Sequence, residues 1–124
     1  MSGRGVALVL ASALLTAGAN LQMRAGVRSA GGLTLQFHAL AAQFGALVRQ
    51  PLFVGGVLLY GLAAVLWFAV IGIEDLSTSY PVLVSAVFIL VTGGAAIFFQ
   101  ERITAQKIAG ILIILAGIAV VARS

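Results

Sequence analysis

Cysteine is absent from this chain of 124 residues, and charged side chains make up only 8% of it. Without cysteine the chain can form no disulfide and no thiolate metal site, and its one histidine is too few for a metal centre. We therefore expect no metal and no cofactor. That histidine and three acids at the ends of apolar segments cannot supply a nucleophile, a base and an orienting group, which argues against an enzyme.

Apolar residues, by contrast, are abundant. They account for 62% of the sequence, and the mean hydropathy is +1.19. Such a composition is typical of an integral membrane protein. The pI of about 10.8 does not indicate a nucleic-acid partner, because the seven basic residues are scattered at the ends of apolar segments.

The hydropathy pattern predicts one all-α domain over residues 1–124 with four transmembrane helices, since each crossing takes about 20 apolar residues. Pro51 is expected to begin the second span, Pro81 to lie in the first turn of the third, and Thr104 to cap the fourth. A signal peptide is a competing interpretation of the first segment, disfavoured because the run continues into Arg24 without a small-residue cleavage site. The predicted spans are about 5–23, 51–72, 79–99 and 105–122.

The segment LTLQFHALAAQFGALVRQ, residues 33 to 50, differs from the four spans. Its leucines and phenylalanines recur at spacings of four and three, while its glutamines occupy another face, so we predict an amphipathic helix over about 33–49. We expect it to lie in the membrane interface, with Phe37 and Phe44 toward the acyl chains and His38 and Arg49 at headgroup level. A connector helix packed on protein is the alternative.

Basic side chains are unevenly distributed between the two sides of the membrane that the predicted spans define. Two, Arg4 and Arg123, lie near the termini, and five lie in or beside the first and third connections. The positive-inside rule therefore predicts cytoplasmic first and third connections and both termini outside, with dual insertion still open. The five are Arg24, Arg28, Arg49, Arg102 and Lys107.

Three stretches together carry a family resemblance: LLTAGANLQMRAG at 14–26, SYPVLVSAV at 79–87 and FFQERITAQKIAGILIILAGIAVV at 98–121. They resemble the four-helix branch of the drug/metabolite transporter (EamA-like) superfamily. Two groups of that branch compete: the small multidrug resistance exporters, whose four-helix fold the resemblance implies, and ArnE and ArnF, the small subunits of the flippase for undecaprenyl phosphate-linked aminoarabinose. Either implies a multi-pass protein of a bacterial inner membrane.

Position 16 discriminates between the two groups. Aligning the basic residue near the end of the first span with Arg24 places Thr16 where the exporters carry a membrane-embedded glutamate. An exporter of that kind needs a carboxylate there, because one group must alternately hold a proton and a cationic substrate. The resemblance therefore favours the flippase subunits, which implies transport of a lipid-linked sugar. A small-molecule exporter with another coupling site and a non-transporting accessory subunit remain as alternatives.

A polyprenyl phosphate-linked sugar has an anionic phosphate, a polar head and an apolar tail, and the sequence offers a partner for each. Arg24 and Arg28 would bind the phosphate. Neutral side chains deeper in the bundle would bind sugar hydroxyls, and two aromatic residues seven apart would offer flat surfaces. These further candidates are Thr16, Asn20, Tyr80 and Ser85, with Tyr60 and Trp67 as the aromatic pair.

Each candidate also has a structural interpretation. Arg24 and Arg28 can anchor the topology by reaching headgroups, and Trp67 can belong to an interfacial aromatic belt. Thr16 and Ser85 can bond to their own helix backbone. Glu101 is expected to form a local ion pair, since Arg102 and Lys107 are close to it in sequence.

A small-residue stripe in the fourth span concerns assembly. Gly110 and Gly117 are seven residues apart, which allows close helix approach, and the spacing resembles the glycine pair by which the small exporters dimerise. Four short helices enclose little space by themselves, and translocation pathways usually form between two repeats. We therefore expect a homodimer, or a heterodimer with a related small subunit.

Overall fold

The computed structural model describes residues 2–123, and all regular elements of that stretch are helices. The all-α prediction is thus confirmed. Helices α1, α3 and α4 are long and apolar enough to cross a membrane, whereas the apolar part of α5, Ala105–Val121, is shorter. The helices are α1 (Gly3–Ser29), α2 (Phe37–Arg49), α3 (Pro51–Ile71), α4 (Leu76–Phe98) and α5 (Ala105–Arg123).

Helix α1 is longer than the predicted span 5–23. It begins after Ser2, whose hydroxyl accepts a hydrogen bond from the Gly5 amide at 3.0 Å. Its end lies beyond the apolar run because helix bonding does not require apolar side chains, and arginine and alanine are good helix formers. The helix stops before Gly31 and Gly32, which have φ of 95° and 88°, a conformation that glycine adopts without strain.

Helix α2 begins at Phe37, so the prediction of a helix from residue 33 was wrong at its start. Thr34 is held outside the helix because the Gln43 side chain bonds to its backbone on both sides. The Gln43 carbonyl oxygen accepts from the Thr34 amide, and the Gln43 amide donates to the Thr34 carbonyl at 2.9 Å. Phe37 and Phe44 are exposed, and Leu47 packs inward.

Helix α4 begins at Leu76 rather than at residue 79, with Asp75 in the N-cap position. Pro81 consequently lies in the second turn and not in the first, where it removes one backbone hydrogen bond. The prediction for Thr104 is confirmed, since its hydroxyl accepts from the Lys107 amide at 3.1 Å at the start of α5. Pro51 begins α3 as predicted.

The bundle is held together mainly by close packing of α1 on α3 through small residues. Ala13 and Ala17 of α1 and Ala63 of α3 are buried, and the Ser12 hydroxyl donates to the Ala63 carbonyl across the interface at 2.9 Å. Within lipid, association of helices depends on such packing and on hydrogen bonds, because lipid is as apolar as the side chains. Helix α4 also packs on α1, and α5 packs mainly on α4.

One polar contact closes the end of the bundle where α1 begins. The carboxylate of Glu74, in the α3–α4 turn, accepts hydrogen bonds from the Ser2 hydroxyl at 2.7 Å and the Ser2 amide at 3.0 Å. These bonds favour the charged form and lower the pKa of Glu74. This contact therefore tethers the N-terminal end of α1 to the turn at neutral pH, and it is weakened as the carboxylate protonates in acid.

Candidate functional site

A cleft of about 560 Å³ lies between α1, α3 and α4, and its walls carry both polar and apolar side chains. Thr16 and Asn20 of α1 line one wall, and residues four apart on α4 line the other, because a spacing of four keeps side chains on one helix face. Tyr60 of α3 completes the lining. The α4 residues are Tyr80, Val84, Phe88 and Thr92.

The aromatic candidates come together at one end of the cleft. The rings of Trp67 and Tyr80 meet edge to face, with centroids 5.9 Å apart and planes at 62°. Both line a smaller cavity of about 220 Å³ together with Tyr60 and Thr16, two residues that also line the main cleft. Tyr60 and Trp67 therefore share a face of α3, as their spacing predicts, and that face is turned toward the cleft.

The other end of the cleft is charged. Asn20 and Thr92 line both the cleft and a neighbouring cavity of about 360 Å³, which Arg24, Glu101 and Lys107 also line. The Arg24 guanidinium pairs with the Glu101 carboxylate through Nη1 and Oε2. The expectation that Glu101 pairs with Arg102 or Lys107 was therefore wrong. The pairing depends on the approach of the C-terminal ends of α1 and α4, which short-range spacing cannot reveal.

The ring of Phe99 supports the charged end. The Arg24 guanidinium lies over it at 4.6 Å from the centroid, and that of Arg28 at 5.9 Å, both within the range of a cation–π contact. Arg24 lines the charged cavity, whereas Arg28 contacts the ring and is not part of the cavity wall. The two arginines are thus close to each other but differently placed relative to the cleft.

Three further candidates lie away from the cleft. Ser85 is one position beyond Val84 on α4, and its hydroxyl donates to the Val82 carbonyl of its own helix at 3.0 Å. Gly110 and Gly117 are on the exposed side of α5. A Cβ atom added at either glycine would meet no heavy atom of a neighbouring described element within 4 Å.

Thr92, Lys107 and Phe99 belong to this region but were not among the sequence candidates for the site. Thr92 completes the four-residue spacing on α4 that begins at Tyr80, a signal that was available in the sequence. From the sequence, Lys107 is interpreted as a topology determinant and as a neighbour of Glu101 in a local ion pair, and Phe99 has no assigned role. The positions of Phe99 and Lys107 follow from the turn between α4 and α5, which returns the chain toward the end of α1.

The arrangement suits an amphiphile better than a metal or a reaction centre. Within residues 2–123, no three of the histidine and acidic side chains cluster as a metal site would require. The cleft instead combines a mostly apolar wall, neutral hydrogen-bonding groups and one charged end. It can therefore hold a molecule with an anionic group at one end and uncharged polar groups beside it.

Comparison with known proteins identifies relatives of this chain by sequence identity. No family model matches the sequence, and no solved structure matches it. The protein named probable 4-amino-4-deoxy-L-arabinose-phosphoundecaprenol flippase subunit ArnE of Pseudomonas aeruginosa (strain LESB58) is 31% identical over 120 residues, 95% of this chain and 96% of the relative. A protein of the same name from Erwinia tasmaniensis is 35% identical over 75 residues, 58% of this chain and 68% of the relative. The resemblance noted in the sequence is thereby confirmed, and the chain belongs to the ArnE-type family of small membrane proteins.

Proposed function

We propose that this protein is one subunit of a transporter that moves a sugar linked to a polyprenyl phosphate across the cytoplasmic membrane. The observation that carries the proposal is that the neutral cleft and the charged cavity adjoin, since both are lined by Asn20 and Thr92. Thr16, Asn20 and Arg24 lie on one stripe of α1, and Asn20 joins the neutral cleft to the cationic cavity. The name of the Pseudomonas relative indicates the same substrate class.

Each part of such a lipid has a partner along this stripe. Arg24 attracts the phosphate by charge-assisted hydrogen bonds. Asn20, Thr16 and the Tyr80 hydroxyl offer neutral partners to sugar hydroxyls, which otherwise lose their hydrogen bonds in hydrocarbon. The polyprenyl tail stays in lipid and requires no closed passage through the protein.

The membrane arrangement that fits this function has four spans. Helix α5 has 19 residues, at the short end of the range that crosses hydrocarbon, and it packs on a helix that spans. The C-terminal ends of α1 and α4 lie together with Arg24, Arg28 and Lys107, and the positive-inside rule places that end in the cytoplasm. We assign α2 to the interface on the same side, with exposed Phe37 and Phe44 in the acyl boundary.

We further propose that the protein works in a pair through the glycine stripe of α5. Replacing Gly110 or Gly117 by leucine is expected to weaken pairing by about tenfold or more, because the added side chain prevents close helix approach. The fold of the single chain should be unaffected, since a Cβ atom at either glycine would point into open space. Energy transfer between labelled copies, or between this protein and a related small subunit, measures the pairing in liposomes.

Ala116→Leu is the matched control for the glycine variants. Ala116 is also exposed on α5 and gains a leucine side chain, but it lies about 100° around the helix from Gly117. It should pair like the wild type. Equal pairing by the glycine variants and this control would show that the stripe is not the interface.

The function is tested by native mass spectrometry of the protein released from a membrane that contains glycosylated polyprenyl phosphates. We expect a retained lipid whose fragments include the polyprenyl phosphate and the sugar. A quaternary ammonium compound added in excess should not displace the lipid. The reason is that Thr16 stands at the position where the exporters carry the glutamate that binds a cationic substrate. Retention of organic cations instead of the lipid would favour a small-molecule exporter.

A further inference from the structure

A carboxylate inside the cavity assigned to a phosphate is unexpected, because it repels the anion. Glu101 lines that cavity beside Arg24 and Lys107, and its Oε2 atom is shielded from solvent against the arginine. A residue that served only to balance surface charge could point outward from the α4–α5 turn toward water. The inward position of Glu101 therefore needs a reason of its own.

The backbone at this turn holds Glu101 toward the bundle. Gln100 has φ of 52°, a left-handed conformation that is uncommon for residues other than glycine. The amide of Glu101 donates to the carbonyl of Ala95, which folds the chain back over the end of α4. The carboxylate thus reaches Arg24 through a defined turn rather than through a mobile side chain alone.

The charges that line the cavity sum to one positive unit, since Arg24 and Lys107 contribute two and Glu101 removes one. Two chemical forms of a polyprenyl phosphate differ in the negative charge that their phosphate group would bring into this cavity. A phosphate that joins a sugar to the polyprenol is a diester with one negative charge. The carrier without its sugar is a monoester, which carries about 1.5 to 2 negative charges near pH 7.

We infer that Glu101 is a specificity residue that disfavours the doubly charged phosphomonoester relative to the singly charged phosphodiester. This inference rests on the proposed function. Coulomb repulsion is proportional to the charge of the ligand. Glu101 therefore makes the binding free energy of the monoester less favourable by about twice as much as that of the diester. The glycosylated lipid is thereby protected from competition by the carrier that lacks a sugar.

The test is a binding titration of the full-length protein in nanodiscs at about pH 8, where the monoester is almost fully doubly charged. The probes are undecaprenyl phosphate and glucosyl phosphoryl undecaprenol, which share a tail and differ in phosphate charge. Glu101→Gln should bind both more tightly, and a gain of about threefold for the diester implies about tenfold for the monoester. All other charges are the same in the wild-type protein and in Glu101→Gln, so their contributions cancel when the two affinities for one lipid are compared.

Two further variants support the comparison. Asp75→Asn removes the same unit of charge at the other end of α4, a helix of 23 residues and so about 35 Å long, and should change neither affinity. Lys107→Gln removes one of the cations and should have the opposite effect, with a larger loss for the monoester than for the diester. It tests the same charge relation even if Glu101→Gln fails to fold.

The outcomes separate this inference from the proposed function. If the wild-type protein binds the diester and Glu101→Gln changes both affinities by the same factor, or neither, Glu101 has no role in specificity, while the transporter assignment stands. An unequal change in the stated direction supports the inference. Absence of binding of both lipids to the wild-type protein would overturn the proposed function, and the inference with it.

Discussion

Replacement of Arg24 by alanine is expected to lower the affinity for a polyprenyl phosphate-linked sugar by about tenfold to a hundredfold. The substitution removes a cation from the charged cavity and leaves the Glu101 carboxylate there without its partner. Both changes make the cavity less favourable for an anion. Arg24 is 43% exposed, so screening by water keeps the effect below that of a fully buried pair.

Two companion variants distinguish a loss of binding from a loss of folding. Arg24→Lys retains the charge but not the planar contact with Phe99, and should lose less affinity than Arg24→Ala. Arg24→Ala combined with Glu101→Gln removes both members of the ion pair, so no unpaired carboxylate remains. This double variant should fold as well as the wild type and bind the lipid better than Arg24→Ala alone.

Native mass spectrometry and a flipping assay in reconstituted vesicles measure the effect at two levels. The retained lipid should disappear in Arg24→Ala, and the rate of lipid transfer should fall with it. If the alanine variant retains the lipid as the wild type does, Arg24 does not bind the phosphate. The phosphate contact would then have to be sought at another cation, with Lys107 the first to examine.

The helices were largely predictable, because each depends on local chemistry. Apolar runs of sufficient length locate α1, α3 and α4, and Pro51 and Thr104 mark helix starts that the structure confirms. The errors lie at helix ends, where hydropathy is a poor guide. Arg24 and Arg28 leave the apolar run but remain helical, and Thr34 is kept out of α2 by the side chain of Gln43.

The candidate site was predictable where it follows one helix. Thr16, Asn20 and Arg24 lie four residues apart, so their shared face can be derived from the sequence. Ser85 shows the limit of that approach, because the face of α4 that meets the cleft depends on how α4 packs against α1. One position separates Ser85 from Val84, and this rotation of about 100° is enough to turn it from the cleft.

Contacts between distant segments were not predictable by local reasoning. Glu101 had two basic neighbours in sequence, yet its partner is Arg24 on the first helix. The choice depends on the turn at Gln100 and on the position of Phe99 under the guanidinium. The count of basic residues placed Arg24 and Lys107 at one end of the bundle, but only the packing of the helices brings them into one cavity.

The largest effect on stability is expected from Gly26→Ala, a substitution that ordinarily favours a helix. A Cβ atom at position 26 would lie 2.5 Å from the backbone nitrogen of Phe53 and 2.8 Å from its Cα atom. Because that neighbour is the backbone of α3, it cannot move aside without separating the helices. We expect a loss of about 1–3 kcal/mol in the free energy of unfolding, measured by titration with SDS in mixed micelles.

Gly18→Ala and Gly56→Ala calibrate this result. Gly18 is on the same helix with open space around its Cβ direction, so alanine there should be neutral or stabilise by about 0.5–1 kcal/mol. At Gly56 the nearest atom is Cγ of Met23 at 2.5 Å, and the backbone atoms that follow, Met23 N and Ala19 O, are farther away at 3.0 and 3.1 Å, so an intermediate loss is expected. If Gly26→Ala is as stable as Gly18→Ala, α1 and α3 can separate enough at Gly26 to admit a methyl group without cost. The stripe of Thr16, Asn20 and Arg24 would then not be held rigidly against Tyr60, and the cleft could change its width without loss of stability.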